Sequence, residues 1–566
     1  MTRRGIVAAT TLVVAAALVA AGCSSTGSSG TQNGSSSNGQ GTPGSTVPGA
    51  SDAKAVVNPV LGPPDDTATP ARGGAVVFGL EHEPDGVDPS RSAFDASGHM
   101  IASAVFDPIT AIDDGGKVVP YLADKLTPSA DFKTWTITLR SGVQFHDGTP
   151  LTSEALKINF DYWTKSFVTN SSFSSLDSYK VTGPLTLELT MKQPWTAFPY
   201  TLSTQTGYVA APSFLTNPDP NGPSMKPVGT GPFKYKDAVR GKNFVAERNP
   251  SYWQAGLPYL DQVRFEYYPD GLSRVEALTK GDIDVLHAYQ PAVITKVRDA
   301  AARGELKVVE NNDGEEDVVA INTEKVPFDD LDARLALAYA TDAQKWREIA
   351  EAGTQHDVHG PFAPGQLGFS KDDAFPAFDL AKAKEHADAY RKKTGKEIET
   401  EILTTNNVDD RTQVQLLIEQ WAKVGIKATY KSAELAELIT LTVLGQYQLV
   451  TWRNFGSPDP DVDYLWWHSS GVLPSPQIST NVARLKDTAI DNALDEARGT
   501  TDAAKRDQAY QVVAKKLNEG VAYIWLGRPT WVIAAVPQVQ GLSGARNGTG
   551  STLGAKTWIT KLWVKR

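Results

Sequence analysis

The stretch LRSGVQFHDGTPLTSEAL, residues 139–156, carries the signals of a strand end, a turn and a helix start in that order. In TWTITLR (134–140), which leads into it, apolar and polar residues alternate, and this period of two predicts a β-strand. Asp147–Gly148 predicts a turn, because glycine readily adopts the positive φ that tight turns need. Thr152 or Ser153 then stands where a helix cap is expected. The segment therefore predicts a strand, a turn and a helix in direct succession.

His146 and Asp147 lie side by side in this stretch and raise the question of a catalytic pair. A histidine general base needs a nucleophile or a substrate proton within hydrogen-bonding distance, and the sequence offers none. We therefore interpret His146–Asp147 as part of the turn. The chain also lacks the G-x-S-x-G and H-E-x-x-H patterns and a complete phosphate-binding loop. The sequence thus predicts no enzyme, no catalytic residue, no cofactor and no metal site, and a secreted hydrolase is the weaker alternative.

A second acidic motif, PDPDVD (458–463), places three carboxylates at alternate positions. Carboxylates at this spacing occur in calcium-binding loops, but no downstream glutamate completes such a loop here. We interpret the motif as a turn that its prolines stiffen.

The rest of the chain alternates the signals of strands and helices. QVRFEYY (262–268) has the period of two of a strand, and VAYIWL (521–526) is a continuous apolar run, as in a buried strand. DRTQVQLLIEQWAKVG (410–425) spaces its apolar residues as an amphipathic helix and ends at a glycine. Apolar residues make up 41% of the chain, charged residues 21%, and the net charge is −10. These features predict a mixed α/β protein without a basic surface for nucleic acid.

The N-terminus has the layout of a secretory signal peptide over residues 1–22. Arg3 and Arg4 precede an apolar run from Ile6 to Ala21, which is shorter than the roughly 20 residues of a membrane-spanning helix. LVAAGC resembles a bacterial lipobox, and this resemblance implies a diacylglyceryl group on Cys23, the only cysteine of the chain. The alternatives are an uncleaved anchor helix and a simple secreted protein with a stray cysteine. Residues 23–72 are rich in Ser, Gly, Pro, Asp and Ala and predict a disordered tether.

Several segments together resemble the family 5 extracellular solute-binding proteins, the peptide- and nickel-binding lipoproteins of ABC importers. Each segment is a weak signal alone, but they occur in the order of the family. They are VFDPITAIDDGGKVVPYLADKLTPSADFKTWTITLRSGVQFHDGTPLTSEAL (105–156), PVGTGPFKY (227–235), ERNPSYW (247–253), LPYLDQVRF (257–265), ALTKGDIDV (277–285), INTEKVPFDDLDARLALAYATD (321–342) and QWAKVGIKATY (420–430).

The resemblance implies an α/β fold with two lobes, of the type II periplasmic-binding-protein kind and of the large cluster with an extra subdomain in lobe I. Lobe I is expected to hold residues 74–315 and 526–566, with the extra subdomain at 108–194. Lobe II is expected to hold residues 316–525. The ligand is expected in the cleft between the lobes, which close on it by a hinge motion.

The segment YQLVTWRNFGSPDPDVDYLWWHSSG (447–471) is the most informative about the ligand. In the peptide-binding members of the family, an aspartate three residues before an Asp–Pro pair holds the α-ammonium group of the peptide. Asp459–Pro460 matches that pair, but Gly456 stands at the position of the aspartate. We therefore expect that the ligand is not an ordinary free dipeptide, and that it is a blocked or modified peptide, a saccharide or another polar metabolite.

The candidate ligand-binding residues are polar and aromatic side chains that follow strands predicted to end at the cleft. Arginine can clamp a carboxylate or phosphate, and tryptophan can stack on rings or peptide planes. The alternative is that the tryptophans are core residues and that the arginine pairs with a nearby aspartate. The candidates are Trp452, Arg453, Asn454, Phe455, Trp466 and Trp467 in lobe II, and His82 and Glu83 in lobe I.

The function that the resemblance implies is capture of a peptide-like or other polar solute for an ABC importer. The permease and ATPase subunits are then separate chains, and the protein is a monomer held by its lipid on the extracytoplasmic face of the cell membrane. The alternative is a degenerate lipoprotein of this fold that acts as a sensor or scaffold with a protein partner.

Overall fold

The computed structural model describes residue 47 and residues 60–113, 117–217, 226–311, 315–371, 375–455, 459–542 and 559–565. The predicted signal peptide (1–22) and Cys23 lie outside the described residues. The strands, in chain order, are β1 Val60–Leu61, β2 Ala75–Leu80, β3 Thr110–Ile112, β4 Val118–Pro120, β5 Ala123–Pro128, β6 Thr134–Leu139, β7 Leu176–Gly183, β8 Thr186–Met191, β9 Phe233–Val239, β10 Asn243–Arg248, β11 Gln262–Tyr267, β12 Val285–Ala288, β13 Lys307–Asn311, β14 Glu315–Ile321, β15 Glu399–Thr405, β16 Lys427–Ala433, β17 Leu449–Phe455, β18 Tyr523–Gly527, β19 Trp531–Ala535, β20 Val539–Gln540 and β21 Trp563–Val564.

The helices alternate with these strands over most of the chain, so the mixed α/β prediction is confirmed. In chain order they are α1 Ala96–Val105, α2 Ser153–Trp163, α3 Phe198–Thr201, α4 Pro212–Leu215, α5 Gly271–Lys280, α6 Pro291–Ala302, α7 Leu331–Ala340, α8 Ala343–Ala350, α9 Leu380–Thr394, α10 Val408–Ala422, α11 Leu435–Val443, α12 Tyr464–Trp467, α13 Thr488–Gly499 and α14 Ala503–Gly520.

The segment around residue 139 folds as its sequence predicts. β6 buries the alternating side chains Trp135, Ile137 and Leu139. After the turn, Thr152 caps α2 by accepting a hydrogen bond from the Ala155 amide at 3.2 Å. β6 pairs with β5 and β8 in an antiparallel sheet of order β5-β6-β8-β7, which we call the extra subdomain.

His146 holds this subdomain to the neighbouring loop rather than acting on a substrate. Its Nε2 donates to the Gly231 carbonyl at 2.9 Å, and its Nδ1 accepts from the Gly229 amide at 3.3 Å. Burial lowers the pKa of His146 to about 4. The neutral imidazole therefore serves as a fixed structural link, in agreement with the turn interpretation.

Gly231 leaves no room for a side chain, because a Cβ there would lie 2.4 Å from the Val105 carbonyl carbon. The clash is with backbone, which cannot move aside as a flexible side chain does. We expect Gly231→Ala to lower the free energy of unfolding by about 1–3 kcal/mol or more, measured by urea denaturation. Gly183→Ala is the matched control, because its Cβ would meet nothing nearer than Thr186 Oγ1 at 3.5 Å. Equal stability of the two variants would contradict the packing argument.

Lobe I is built on an eight-stranded sheet of order β1-β13-β19-β12-β2-β11-β10-β9. Its central strand β2 runs parallel to β11 and β12, and the remaining pairs are antiparallel. α1 covers one face, and α5 and α6 cover the other. Both faces are therefore buried, which explains the mostly apolar sequence of β2 and β12.

Ordered structure begins earlier than the sequence predicts. Val60 and Leu61, at the end of the expected tether (23–72), form β1 and pair with the edge of β13. Lys307 on β13 also contacts Asp65, with Nζ 2.9 Å from Oδ1. The polar composition of the segment gave no sign of this contact. The unpaired edge of a strand can form backbone hydrogen bonds with a segment of almost any sequence.

Lobe II is built on a five-stranded sheet of order β16-β15-β17-β14-β18. Strand β14 is antiparallel to its neighbours β17 and β18, and β15 is parallel to β17. One face packs against α13 and α14, and the other packs against α7, α8 and α10. The odd and even residues of β14 therefore point into two different cores.

Candidate functional site

The chain crosses between the two sheets twice, and both crossovers meet the lobe II sheet at the same edge. The first leads from β13 to β14 and the second from β18 to β19. Glu315 at the start of β14 lies opposite Phe455 at the end of β17, and Asp317 lies opposite Gly527 at the end of β18. We call this edge, residues 315–317, 453–455 and 527, the cleft edge of lobe II.

Arg453 connects the cleft edge to lobe I. Its Nε donates to Asp317 Oδ1 at 2.7 Å, and its Nη1 lies 3.5 Å from Glu315 Oε2. Its Cζ lies 5.0 Å from the centre of the Tyr289 ring in lobe I. Trp531 of lobe I donates from Nε1 to Glu315 Oε2 at 3.0 Å. The two lobes thus contact each other through a charged and aromatic cluster beside the crossovers.

The pairing of Arg453 bears on its predicted role as a clamp for a carboxylate. Asp317 occupies two of its nitrogens, and Glu315 approaches a third. These contacts correspond to the alternative in which Arg453 pairs with a nearby aspartate. Because two carboxylates already surround one guanidinium, this corner of the cleft carries excess negative charge.

Glu351, just after α8, is a buried carboxyl group whose pKa responds to the charge of Asp317. Burial, and after it the negative charge of Asp317, raise the pKa of Glu351 from 4.5 to about 8. Gln413 donates from Nε2 to Glu351 Oε1 at 2.6 Å. Burial also raises the pKa of Asp410, at the start of α10.

We expect Glu351→Gln to change how stability depends on pH. Because the folded-state pKa of Glu351 lies above the unfolded value, its contribution to stability is full below pH 4.5 and is lost as the pH rises to about 8. The glutamine variant lacks this loss, so its stability relative to the wild type should increase through this window. Urea denaturation at several pH values measures the difference. The exposed Glu385→Gln serves as control, and equal pH profiles of the two variants would contradict the assignment.

Lobe I also contacts lobe II at a second site, through residues that directly follow the extra subdomain. Trp195 Nε1 donates to Asp461 Oδ2 at 2.7 Å, and the Thr196 amide donates to the Arg498 carbonyl at 3.0 Å. Arg498 pairs with Asp461, with Nε 2.7 Å from Oδ1. The Arg498 guanidinium stacks 4.7 Å from the centre of the Trp195 ring and 3.6 Å from that of the Tyr464 ring. We call Trp195, Thr196, Asp461 and Arg498 the latch.

A cavity of about 40 Å³ lies behind the latch, between the extra subdomain and lobe II. Its volume corresponds to one or a few water molecules. Its lining includes polar groups of both sides: Ser171, Ser172, Ser174, Trp195, Thr201, Asp461, Val462, Leu465, Trp466, Thr480 and Arg498. The two lobes therefore contact each other at two places, beside the crossovers and at the latch.

The three predicted tryptophans of lobe II lie together and are buried. Trp452 and Trp466 have ring centres 6.3 Å apart, and all three belong to the core between the sheet and α13 and α14. Trp466 also lines the cavity behind the latch. The indole nitrogen of Trp452 has no hydrogen-bond partner among the described residues. The three tryptophans are therefore core residues, although not every indole nitrogen among them makes a hydrogen bond.

The remaining predicted residues divide between the two lobes. Asn454 is buried on the cleft edge, and neither amide atom has a partner among the described residues. Phe455 ends β17, and its side chain lies outside what the structure describes. In lobe I, His82 pairs with Asp95, and Glu83 Oε2 accepts from the Gly241 amide at 2.8 Å. His82 and Glu83 are thus both engaged within lobe I.

Sequence reasoning missed the latch and the carboxylates of β14. The PDPDVD motif holds Asp461, but its alternating carboxylates were interpreted as a turn alone. Trp195 and Arg498 follow the strand and helix patterns of their own segments, so nothing local marks them. The acidic run Glu315–Glu316–Asp317 at the start of an otherwise apolar strand was the available signal, since charges are costly inside a buried strand.

Two features are absent from the residues that the structure describes. No helix among them is both long enough and apolar enough to cross a bilayer. They also contain no group of three or more histidine, cysteine, aspartate or glutamate side chains arranged to hold a metal ion.

Comparison with known proteins assigns the chain to a protein family. The model of the bacterial extracellular solute-binding proteins, family 5, matches residues 117–473, well over half of the chain. The chain belongs to this family. The resemblance inferred from the ordered segments is therefore confirmed. Because the family consists of solute-binding transport proteins, its members are binding proteins rather than enzymes.

Relatives with curated functions and a solved structure extend the match over most of the chain. The glutathione-binding protein GsiB of Pectobacterium atrosepticum is 25% identical over 79% of this chain and 88% of its own length. The nickel-binding periplasmic protein of Escherichia coli is 24% identical over 77% and 86%. The structure of DppA from Helicobacter pylori with the peptide STSA has a TM-score of 0.76 at 21% identity, covering 88% of this chain and 99% of that one. The two-lobed α/β fold is thereby confirmed, and the chain has the role of a solute-binding protein.

Proposed function

We propose that this chain is the substrate-binding lipoprotein of an ABC importer and captures a peptide-like or other polar solute between its lobes. The observation that carries the proposal is the contact of the two lobes at two separate places, at Arg453–Tyr289 and at Trp195–Asp461. Such contacts link the closing of the lobes to the binding of a solute in the space between them.

The division of the chain into lobes follows from the same proposal. Lobe I spans residues 74–315 and 526–566, with the extra subdomain at 108–194, and lobe II spans residues 316–525. The strand pairing supports this division to within two residues, since β14 to β18 pair only with one another among the described strands, and their sheet begins at Glu315 and ends at Gly527. Closure then presents one surface from each lobe to a permease, which works with an ATPase on separate chains.

The chain is anchored to the extracytoplasmic face of the cell membrane through an acylated Cys23 and acts as a monomer. Two acyl chains give stable membrane attachment, whereas a single chain is marginal. The tether after Cys23 then gives the folded body room to reach the permease. Support for this part comes from the sequence pattern of residues 1–23 alone.

The solute is not an ordinary free dipeptide, because Gly456 stands where an ammonium-binding carboxylate is expected. Isothermal titration of residues 24–566 with a free-amino dipeptide and with its N-acetylated form tests this point. We expect that the free-amino form has no advantage. Tight binding of the free-amino form alone would contradict the proposed solute class.

A further inference from the structure

The cavity of about 40 Å³ behind the latch has walls from both lobes. Ser171, Ser172 and Thr201 line it from lobe I, and Leu465 and Trp466 line it from lobe II. The cavity therefore exists only while the two lobes are in contact. Since a water molecule needs about 10–15 Å³ of such space, the cavity holds a few water molecules or a chemical group of similar size.

The charged side chains that line the cavity are already paired. Arg498 donates from Nε to Asp461 Oδ1 at 2.7 Å, from Nη2 to Asp461 Oδ2 at 3.1 Å and from Nη1 to Ser175 Oγ at 2.8 Å. Asp461 Oδ2 also accepts from Trp195 Nε1 at 2.7 Å. The rings of Trp195 and Tyr464 lie 4.7 Å and 3.6 Å from the guanidinium carbon. Neither charge of this pair is therefore available to a solute.

The neutral polar groups of the lining, in contrast, have no partner within the described residues. The hydroxyls of Ser171, Ser172 and Thr201 make no hydrogen bond there, and the indole N–H of Trp466 makes none either. Thr201 and Trp466 are buried, with 7% and 4% of their surfaces exposed. Because buried polar groups are usually hydrogen-bonded, these two side chains have hydrogen-bonding capacity left for a group inside the cavity.

This lining matches an uncharged group that forms hydrogen bonds. A hydroxyl can donate or accept and an indole N–H donates, so a primary amide or a hydroxyl group can bond to it. A carboxylate in the cavity would lie near Asp461 without a free cation, and an ammonium would lie near Arg498 without a free carboxylate. Burying a charge without a partner is costly. Val462 and Leu465 make the rest of the lobe II lining apolar.

We propose that this cavity receives an uncharged polar end of the bound solute, a primary amide or a hydroxyl group, and excludes a carboxylate or an ammonium. The inference rests on the proposed function and specifies its solute class. Because both lobes form the cavity, a group bound in it contacts both lobes and stabilises their contact at the latch. A saccharide, or a peptide blocked at one end, meets this requirement.

Two probes that differ at one end test the preference on residues 24–566. N-pivaloyl-alanyl-alaninamide ends in a primary amide and N-pivaloyl-alanyl-alanine in a carboxylate, while the branched pivaloyl group is too large for the cavity. Isothermal titration at neutral pH should give an affinity for the amide about tenfold or more above that for the acid. Thr201→Leu fills part of the cavity and should weaken binding of the amide about tenfold or more.

A charge introduced at the rim of the cavity provides a second variant. Ser172 is half-buried, so Ser172→Lys adds an ammonium beside the cavity without changing a core residue. This variant should reverse the preference, so that the acid binds at least as tightly as the amide. Ser178→Lys adds the same charge at an exposed position of β7 outside the lining and should keep the wild-type preference. A merely structural role of Ser172 would leave the ratio of the two affinities unchanged.

The outcomes distinguish this inference from the proposed function. An affinity for the acid equal to or above that for the amide, or a Ser172→Lys variant with the wild-type ratio, overturns the inference and leaves solute binding intact. Unchanged affinity of Thr201→Leu for the amide also overturns it, because the cavity then holds water alone.

The solute that co-purifies with the wild type decides the question if neither probe binds. Mass spectrometry that finds a solute with an uncharged amide or hydroxyl end supports the inference, and a solute charged at every end overturns it. If no solute co-purifies either, the proposed function fails, and the inference fails with it.

Discussion

Replacing Arg506 with methionine is expected to lower the free energy of unfolding by about 3–5 kcal/mol. Arg506 on α14 and Asp459 in the loop after β17 are both almost completely buried, with 2.6 Å between Nη2 and Oδ1. Arg506 Nε also donates to the Ala497 carbonyl at 3.1 Å, which joins α14 to α13. Methionine fills much of the volume but leaves the Asp459 carboxylate without its cation inside the protein. The unpaired charge accounts for most of the expected loss.

Urea denaturation of residues 24–566 measures this effect. The double variant Arg506→Met with Asp459→Asn should lose less stability than the single variant, because it removes both charges. Lys384→Ala, which breaks an exposed pair with Asp388 on α9, should cost less than about 1 kcal/mol. A loss of that small size for Arg506→Met would show that the buried pair does not hold the loop to α14.

Replacing Trp195 with phenylalanine is expected to weaken solute binding by about tenfold or more. Phenylalanine keeps most of the apolar packing but removes the N–H that donates to Asp461 across the latch at 2.7 Å. The closed arrangement then loses a hydrogen bond to a buried charged acceptor, while the open arrangement loses nothing. Because the apparent affinity depends on the population of the closed state, the loss appears directly in the dissociation constant.

Trp253→Phe is the matched control for the latch. Trp253 also donates from its indole to a buried carboxylate, Asp107, at 2.9 Å, but both residues lie on the lobe I side. Its variant should lose stability and keep its affinity for solute, measured with the compound that co-purifies with the wild type. If Trp253→Phe weakens binding as much as Trp195→Phe, the effect comes from general destabilisation rather than from closure.

Local patterns in the sequence were sufficient to predict much of the fold. The alternation in 134–140, the turn at Asp147–Gly148 and the cap at Thr152 are each decided by residues within a few positions of one another. The same holds for α10, whose apolar spacing predicted a helix that ends before Gly425. Residues 60–61 were missed because their pairing partner in β13 is far away in the sequence.

The site could be predicted only in part, because its chemistry arises from long-range pairing. Arg453 was identified from its position after a strand, but Asp317, its partner, lies 136 residues earlier and meets it through the register of β14 with β17. Trp195 and Asp461 are 266 positions apart and meet only when the extra subdomain lies against lobe II. Spacing in the sequence contains no information about such contacts.

The central claim is that the two lobes close around a solute, and the distance between them tests it most directly. Residues 24–566 contain no cysteine, so Lys180→Cys on the extra subdomain and Glu496→Cys on α13 provide two exposed labelling sites. Electron paramagnetic resonance between spin labels at these sites measures their separation with the co-purified solute and after its removal. We expect a single short distance with solute and a longer, broader distribution without it. Identical distributions in both states would contradict closure.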